Sequence, residues 1–170
     1  MIKKFKTYNE SIRHLLVGPT EEEIIKWYKN NPDKLLSISY ENNNIKGIKT
    51  ALGEGANNIG FKNIIKKYEL DDNGILDMIE YMTPTKQLML CSNIGFMKGV
   101  VRSIDNGADI HADEDYPLRV SIFYGYYDTT KYLLDKGADV NIQDNWCLKN
   151  TRGGSILRKL IVQYMDKKVD

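Results

Sequence analysis

The sequence predicts an all-α fold in which pairs of short helices stack side by side as a helical solenoid. A run of Gly-Ala-Asp followed by an aliphatic residue stands at 107–110 and returns at 137–140, thirty positions later. Around these runs, apolar residues recur at intervals of three and four, which places them on one face of a helix. Because a fixed period of this length is typical of stacked repeats, we expect about four helix-pair units.

The two clearest units cover 85–115 and 116–145 and match at an offset of thirty residues. The paired positions are Leu88 and Leu118, Gly95 and Gly125, Asp105 and Asp135, and Gly107-Ala108-Asp109 and Gly137-Ala138-Asp139. Glycine readily adopts the left-handed conformation that ends many helices. We therefore expect the first glycine of each unit between its two helices, and the second glycine directly after them.

A third unit is predicted at 33–58, at an offset of fifty-two from the unit at 85–115. Asn43 takes the position of Gly95 there, and Asn is a usual substitute for glycine in the left-handed conformation. The segment 59–84 lies where a further unit is expected but has no Gly-Ala-Asp run. We interpret it as a degenerate repeat of two helices, broken at the turn signal Asp72-Asn73-Gly74.

The two ends of the chain are predicted to cap the stack, which repeat proteins need for solubility. Residues 1–32 are a leader and an N-terminal capping helix, which begins at the capping box of Thr20 and Glu23. The apolar face of this helix is expected to comprise Ile24, Trp27 and Tyr28. The helix is expected to end before Asn31-Pro32. A C-terminal cap is expected at 146–165, with an apolar stripe that includes Leu157, Leu160 and Ile161, and 166–170 form a charged tail.

Composition restricts the class of protein. The chain has 170 residues, and 24 Lys and Arg against 23 Asp and Glu leave a formal net charge of +1. A net charge this small gives the whole molecule no strong electrostatic attraction to nucleic acid or to an anionic membrane. No apolar run is long enough to span a membrane. The two cysteines form no disulfide framework, so a reduced, cytoplasmic setting is expected.

Two stretches carry a family resemblance. The stretch "YDTTKYLLDKGADVNIQD" at 127–144 resembles the second helix and "GADVN" exit of the ankyrin repeat, and "YPLR" at 116–119 resembles its "TPLH" opening. The resemblance implies an ankyrin-type helical solenoid that binds proteins and has no enzymatic activity. Three departures are visible: the period is thirty instead of about thirty-three, Tyr116 and Arg119 replace Thr and His, and the shortening falls between Asp144 and Trp146.

A second resemblance concerns the shortened repeats and the leader "FKTYNESIRHLLVGPTEEEI". They are similar to the ankyrin proteins of tailed phages and large DNA viruses. This resemblance implies a phage or viral protein that binds a host protein in the host cytoplasm and modulates or inhibits it, a defence factor being one such target. A monomer or a weak homo-oligomer is expected.

No arrangement of residues in the sequence predicts catalysis. His14 and His111 have no further metal ligands at a suitable spacing, so we expect no metal and no cofactor. Cys91 occupies a small-residue position of a helix and is expected to pack. A nucleophilic role for Cys147 stays open, because its position in the repeat is less clear. The tripeptide "RGG" at 152–154 is interpreted as the end of a helix.

In the ankyrin frame, the loop tips and the exposed ends of the inner helices contact partners. The resemblance therefore implies a partner-binding surface comprising Asn93, Ile94, Asp113, Glu114, Asp115, Tyr116, Phe123, Tyr124, Tyr126, Gln143, Asn145 and Trp146. Aromatic side chains dominate binding energy at interfaces, and three carboxylates at one tip favour a partner with Lys or Arg. Two structural alternatives stay open: Phe123 and Tyr126 fill space between short repeats, and 113–115 cap the following helix.

A nucleic-acid- or nucleotide-binding protein is the alternative function. The Lys-rich stretches "MIKKFKTY" and "KNIIKKYE", together with exposed aromatic residues that could stack on bases, favour it. The near-zero net charge weighs against it, because affinity for nucleic acid depends on neutralising phosphates.

Overall fold

The computed structural model describes residues 20–56, 60–142, 145–152 and 154–167. The described chain is helical, with no strand in it, so the predicted all-α, ankyrin-type helical-repeat fold is confirmed. Its helices are α1 Glu21–Tyr28, α2 Pro32–Glu41, α3 Ile45–Gly53, α4 Phe61–Lys67, α5 Asp72–Met78, α6 Pro84–Ile94, α7 Met97–Asp105, α8 Ala112–Tyr124, α9 Tyr127–Asp135, α10 Trp146–Lys149 and α11 Gly154–Lys167. The leader up to residue 19, with His14, and the last three residues of the tail lie outside these ranges.

The chain divides into two compact units, Met1–Tyr81 and Met82–Asp170. The first contains α1 to α5 and the second contains α6 to α11. Among the described residues, no helix is both long and apolar enough to cross a membrane.

Helix α1 begins at the predicted capping box. The Glu23 carboxylate accepts a hydrogen bond from the Thr20 N–H at 2.8 Å, and Thr20 Oγ1 accepts one from the Glu23 N–H at 3.3 Å. Ile24 is buried with residues of α2 and α3, and Tyr28 packs at the margin of this cluster. The prediction for Trp27 was wrong, because its side chain is 54% exposed. The helix packs along the line of Ile24, Ile25 and Tyr28, which leaves Trp27 on its outer edge.

The degenerate segment forms two helices, α4 and α5, as predicted, but they separate earlier than expected. Glu69 has a left-handed backbone with φ of 48° in the connection. Asp71 caps α5, since its Oδ1 accepts a hydrogen bond from the Gly74 N–H at 2.7 Å. Asp72-Asn73-Gly74 is therefore the first turn of α5 and not the break, because a preceding carboxylate satisfies the amide that opens the helix.

The three predicted repeat units share one backbone geometry at the end of their second helix. The N–H groups of Ala56, Ala108 and Ala138 each donate to the carbonyl five residues earlier, at 2.9, 3.0 and 3.0 Å. The preceding glycines, Gly55, Gly107 and Gly137, have φ of 99°, 83° and 100°. This is the pattern of hydrogen bonds by which a left-handed residue ends a helix.

The turn between the two helices of a unit repeats in the same way. Asn43, Gly95 and Gly125 have φ of 55°, 76° and 77°, which confirms the predicted exchange of glycine for asparagine. At Gly95, a Cβ atom would lie 2.8 Å from the ring of Tyr126. The glycine is therefore required both by its backbone conformation and by the close approach of an aromatic ring.

In the second unit, α6 pairs with α7, α8 pairs with α9, and α6 packs on α8. Leu88 and Leu118 hold equivalent positions in α6 and α8, and both are fully buried. Leu157, Leu160 and Ile161 of α11 are buried as predicted. Helix α10 is only one turn long and ends at Lys149, earlier than the predicted Gly153-Gly154, of which Gly153 lies outside the described residues.

Candidate partner-binding surface

The aspartates of the two Gly-Ala-Asp runs make equivalent hydrogen bonds. The Oδ1 atoms of Asp109 and Asp139 accept from the N–H groups two residues ahead, at 2.9 and 3.1 Å, and so close a turn. Their own N–H groups donate to side chains near the start of the first helix of the same unit: Asp109 to Thr85 Oγ1 at 3.0 Å, and Asp139 to Asp115 Oδ1 at 2.8 Å. The repeated run therefore ties the exit of each helix pair back to its beginning.

A left-handed turn near the start of α8 forms its exposed tip. Asp113, Glu114 and Asp115 have φ of 51°, 54° and 52°, so the regular helical backbone begins at Tyr116. Left-handed backbone costs roughly 1–2 kcal/mol per residue for residues other than glycine. The Arg119 guanidinium offsets part of this cost, because its Nε donates to the Glu114 carbonyl at 2.9 Å and its Nη2 donates to the Asp113 carbonyl at 2.7 Å.

The expectation of three exposed carboxylates at this tip was wrong for Asp115. Its side chain is only 9% exposed, and its Oδ1 accepts from the Asp139 N–H and lies 3.0 Å from His111 Nδ1. Asp113 and Glu114 are exposed. Asp115 is an acceptor within the framework, and the offset of thirty that pairs it with Thr85 was the signal that could have revealed this.

A shallow cavity of about 210 Å³ lies on the second unit where α6, α8 and α10 meet. Its lining comprises Asn93, Tyr116, Arg119, Val120, Phe123, Tyr124 and Trp146. Helix α8 contributes the central residues, because positions 116, 119, 120 and 123 lie on one helical face. Tyr116 is fixed by Asn93, whose Nδ2 donates to the Tyr116 hydroxyl at 3.1 Å. The structure thus brings together Asn93, Tyr116, Phe123, Tyr124 and Trp146 of the predicted surface.

Two arginines that the sequence did not assign to the surface accompany these rings. The Arg119 guanidinium carbon lies 5.9 Å from the ring centroids of both Tyr116 and Trp146. The Arg152 guanidinium carbon lies 4.0 Å from the centroid of Phe123. Arg119 stands where the ankyrin pattern has His, and Arg152 begins the "RGG" tripeptide that we interpreted as a helix end. Both signals were present in the sequence, but their proximity to the rings depends on the fold.

Tyr124 belongs to the lining of this cavity, whereas Tyr126, Ile94 and Asn145 do not. Tyr124 is 49% exposed and packs edge-to-face on Phe123 with ring centroids 5.2 Å apart. Tyr126 lies 5.9 Å from the ring of Tyr124 and covers Gly95, as the space-filling alternative supposes. Ile94 is partly exposed, Asn145 is exposed, and Gln143 lies outside the described residues. Partner contact at these positions stays a prediction.

Neither cysteine is placed for nucleophilic chemistry. Cys91 and Cys147 are fully buried. Burial raises the pKa of the Cys91 thiol to about 12, and burial with the nearby Asp115 and Asp139 charges raises the pKa of the Cys147 thiol to about 12. A neutral, enclosed thiol is a poor nucleophile at physiological pH. Among the described residues, no group of three or more His, Cys, Asp or Glu is arranged to hold a metal ion.

The ankyrin repeat family model matches residues 113–145. The fold is of the ankyrin-repeat type. The matched segment begins at the left-handed tip and contains α8 from its second residue, α9 and the second Gly-Ala-Asp run, so the match includes the central helix of the cavity. Comparison with curated proteins and with solved structures gives no match. Ankyrin repeats generally mediate protein–protein interaction and are typically non-enzymatic.

Proposed function

We propose that this protein is a protein-binding module whose partner contacts the cavity on α6, α8 and α10 and the adjoining tip. The observation that carries the proposal is the clustering of Tyr116, Phe123, Tyr124 and Trp146 with Arg119 around one depression. Tyr, Trp and Arg are the residues that most often dominate binding energy at protein interfaces. The cavity therefore has the composition of an interface centre.

The proposal extends to the class of partner, which is a host protein that the module modulates or inhibits in the host cytoplasm. Its support is the resemblance of the shortened repeats to the ankyrin proteins of tailed phages and large DNA viruses. Because Asp113 and Glu114 expose two carboxylates, the proposal includes a basic patch on the partner.

Capture with matched variants tests the binding surface. The immobilised full chain is incubated with a lysate of the cells in which the protein acts, and the recovered protein is quantified. Tyr124→Ala and Trp146→Ala are expected to lower recovery at least about tenfold, since a central aromatic residue contributes roughly 2 kcal/mol or more. Tyr81→Ala and Trp27→Ala remove equally large aromatic side chains, exposed by 61% and 54%, from the first unit.

The controls decide the outcome. Unchanged circular dichroism and Tm for Tyr124→Ala exclude unfolding as the cause of lost capture, and the two control variants are expected to recover the partner as the wild type does. Equal recovery by all four variants would contradict the proposed surface.

Binding to nucleic acid is the outcome that would replace the proposal. In the Lys-rich helix α4, the Lys67 ammonium group lies 4.0 Å from the ring centroid of Tyr40 and 5.4 Å from that of Tyr68. Its charge therefore contacts aromatic rings of the first unit. We expect no gel retardation of single- or double-stranded DNA or RNA at low salt, where phosphate contacts are strongest. Retardation that is lost in Lys62→Ala and Lys66→Ala would favour the nucleic-acid function.

A further inference from the structure

Opposite charges stand at the two ends of the cavity. Asp113 and Glu114 precede Tyr116 at the beginning of the helical part of α8, and Arg152 covers Phe123 two turns further along. Seven residues of α-helix rise about 10 Å. Tyr116 and Phe123, beside which these charges stand, are therefore separated by about 10 Å along the helix axis.

The cavity does not suit a cationic side chain. A cation binds over the face of an aromatic ring, but Arg119 lies beside Tyr116 and Trp146, and Arg152 lies over Phe123. An incoming ammonium or guanidinium group would compete for these faces and meet two positive charges. The volume of about 210 Å³ is below the range of roughly 300–1,000 Å³ usual for small-molecule pockets. One neutral, apolar side chain of a partner fits this space best.

The two arginines differ in how their charge is compensated. Arg119 Nη2 lies 4.0 Å from Asp113 Oδ2 in addition to its bonds to two carbonyl groups. Arg152 is exposed, and no carboxylate of the described residues lies within ion-pair distance of it. A carboxylate of a bound partner would therefore be attracted to Arg152, at the end of the cavity opposite to Asp113.

We propose, on the basis of the proposed function, that the partner offers a short segment with a fixed order of charges. An apolar side chain occupies the cavity, a basic residue faces Asp113 and Glu114, and an acidic residue faces Arg152. A distance of about 10 Å corresponds to about three residues of extended chain or about seven residues of helix. The order of charges sets the direction in which the segment lies along α8.

Selection from a random-peptide display library on the full chain tests this order. Peptides enriched by the wild type are expected to share a basic residue, a large apolar residue and an acidic residue in that spatial order. Selection on Arg152→Glu is expected to exchange the acidic residue for Lys or Arg. Arg102→Glu places the same charge change at an exposed position of α7 and is expected to select the same peptides as the wild type.

Binding of one synthetic selected peptide makes the test quantitative. Replacing its acidic residue with Lys is expected to raise its Kd for the wild type about fivefold, the upper range for an exposed ion pair, and Arg152→Glu is expected to restore the affinity. The combined change Asp113→Asn and Glu114→Gln removes both charges with side chains of similar size and is expected to abolish the preference for the basic residue. Circular dichroism and Tm of each variant establish that it is folded.

The outcomes separate this inference from the proposed function. If Arg152→Glu selects the same peptides as the wild type while Tyr124→Ala loses them, the order of charges is wrong and the binding surface is right. If the wild type enriches no peptide over an empty matrix, the linear segment is wrong, and lysate capture decides the surface. If Tyr124→Ala binds the selected peptides as the wild type does, both are wrong.

Discussion

The two helix pairs of the second unit, α6–α7 and α8–α9, make the same hydrogen bond with different acceptor residues. In both pairs the amide of the Gly-Ala-Asp aspartate must find an acceptor near the start of the first helix. Helix α6 begins in an ordinary way, with Thr83 as its N-cap and Pro84 at its first position, and the Thr85 hydroxyl is the acceptor. Helix α8 begins with a left-handed turn, and the Asp115 carboxylate is the acceptor.

The Gly-Ala-Asp run at the end of each helix pair is thus the same in both pairs. The beginning of the first helix can differ, provided that it places an oxygen where the aspartate N–H can donate to it. At α8 the changed beginning exposes Asp113 and Glu114 and draws Arg119 back over the turn. The same arginine lies beside Tyr116 and Trp146. The irregular beginning of α8 and the candidate surface are therefore parts of one arrangement, which the regular beginning of α6 lacks.

The largest expected effect tests whether the two pairs share one framework. Leu88→Ala and Leu118→Ala each remove a fully buried side chain and are each expected to lower the free energy of unfolding by about 3 kcal/mol. Urea denaturation followed by circular dichroism measures both. Ile156→Ala, at a position 68% exposed, is the control and is expected to change stability by less than about 0.5 kcal/mol. A loss at only one leucine would show that the pairs are not equivalent.

A smaller effect separates the beginning of α6 from that of α8. Asp115→Ala is expected to cost about 2 kcal/mol, because it removes the charged acceptor of the hydrogen bond from the Asp139 N–H. Thr85→Ala removes a neutral acceptor from the Asp109 N–H and is expected to cost about 1 kcal/mol. The shift in urea midpoint measures both, with Asp113→Asn as a control that keeps the left-handed turn. Equal costs for the two alanine variants would contradict the distinction between a charged and a neutral acceptor.

The smallest expected effect is a pH dependence that arises at Asp135, in the pair α8–α9. The hydrogen bond from Lys131, at 2.6 Å, and that from Tyr164 hold the pKa of Asp135 below its ordinary value of 3.8. A carboxyl whose pKa is lowered by folding stabilises the protein above its unfolded-state pKa, and this contribution is lost as the pH falls through the folded-state pKa. The stability difference between wild type and Asp135→Asn is therefore expected to shrink as the pH falls below 3.8.

Asp105 is the control for that dependence, because it occupies the position of Asp135 in the first pair and has Val101 where the second pair has Lys131. Asp105→Asn makes the same substitution without that lysine and supplies the baseline over the same pH range. Urea unfolding between neutral pH and pH about 3 compares the two variants. A stability difference that does not depend on pH for Asp135→Asn would refute the assignment.

Much of the fold could be predicted because its signals are local. The ends of helices at Gly95, Gly107 and Gly137 follow from the conformational freedom of glycine. The capping box at Thr20 follows from the spacing of two side chains. The choice of Asn93, Tyr116 and Trp146 came from the resemblance to the ankyrin repeat, and only Tyr116 and Trp146 are equivalent positions at the offset of thirty.

The rest depended on contacts that periodicity does not encode. Trp27 had the spacing of an apolar face but lies beyond the line along which α1 packs. Asp115 had the composition of an exposed tip but is enclosed by a bond to a residue 24 positions away. Arg152 was set aside as part of a helix end, and its stacking on Phe123 results from the path of the chain after α10.

The contacts around Tyr116 and Phe123 affect the free energy of complex formation. Tyr116 accepts a hydrogen bond from Asn93 and lies beside Arg119, and Phe123 contacts both Tyr124 and Arg152. Side chains that are already confined to one rotamer lose little conformational entropy when a partner arrives, whereas each mobile one would cost about 0.5–1.5 kcal/mol. A small contact area can then support a specific complex, because the ordering of this surface took place when the chain folded.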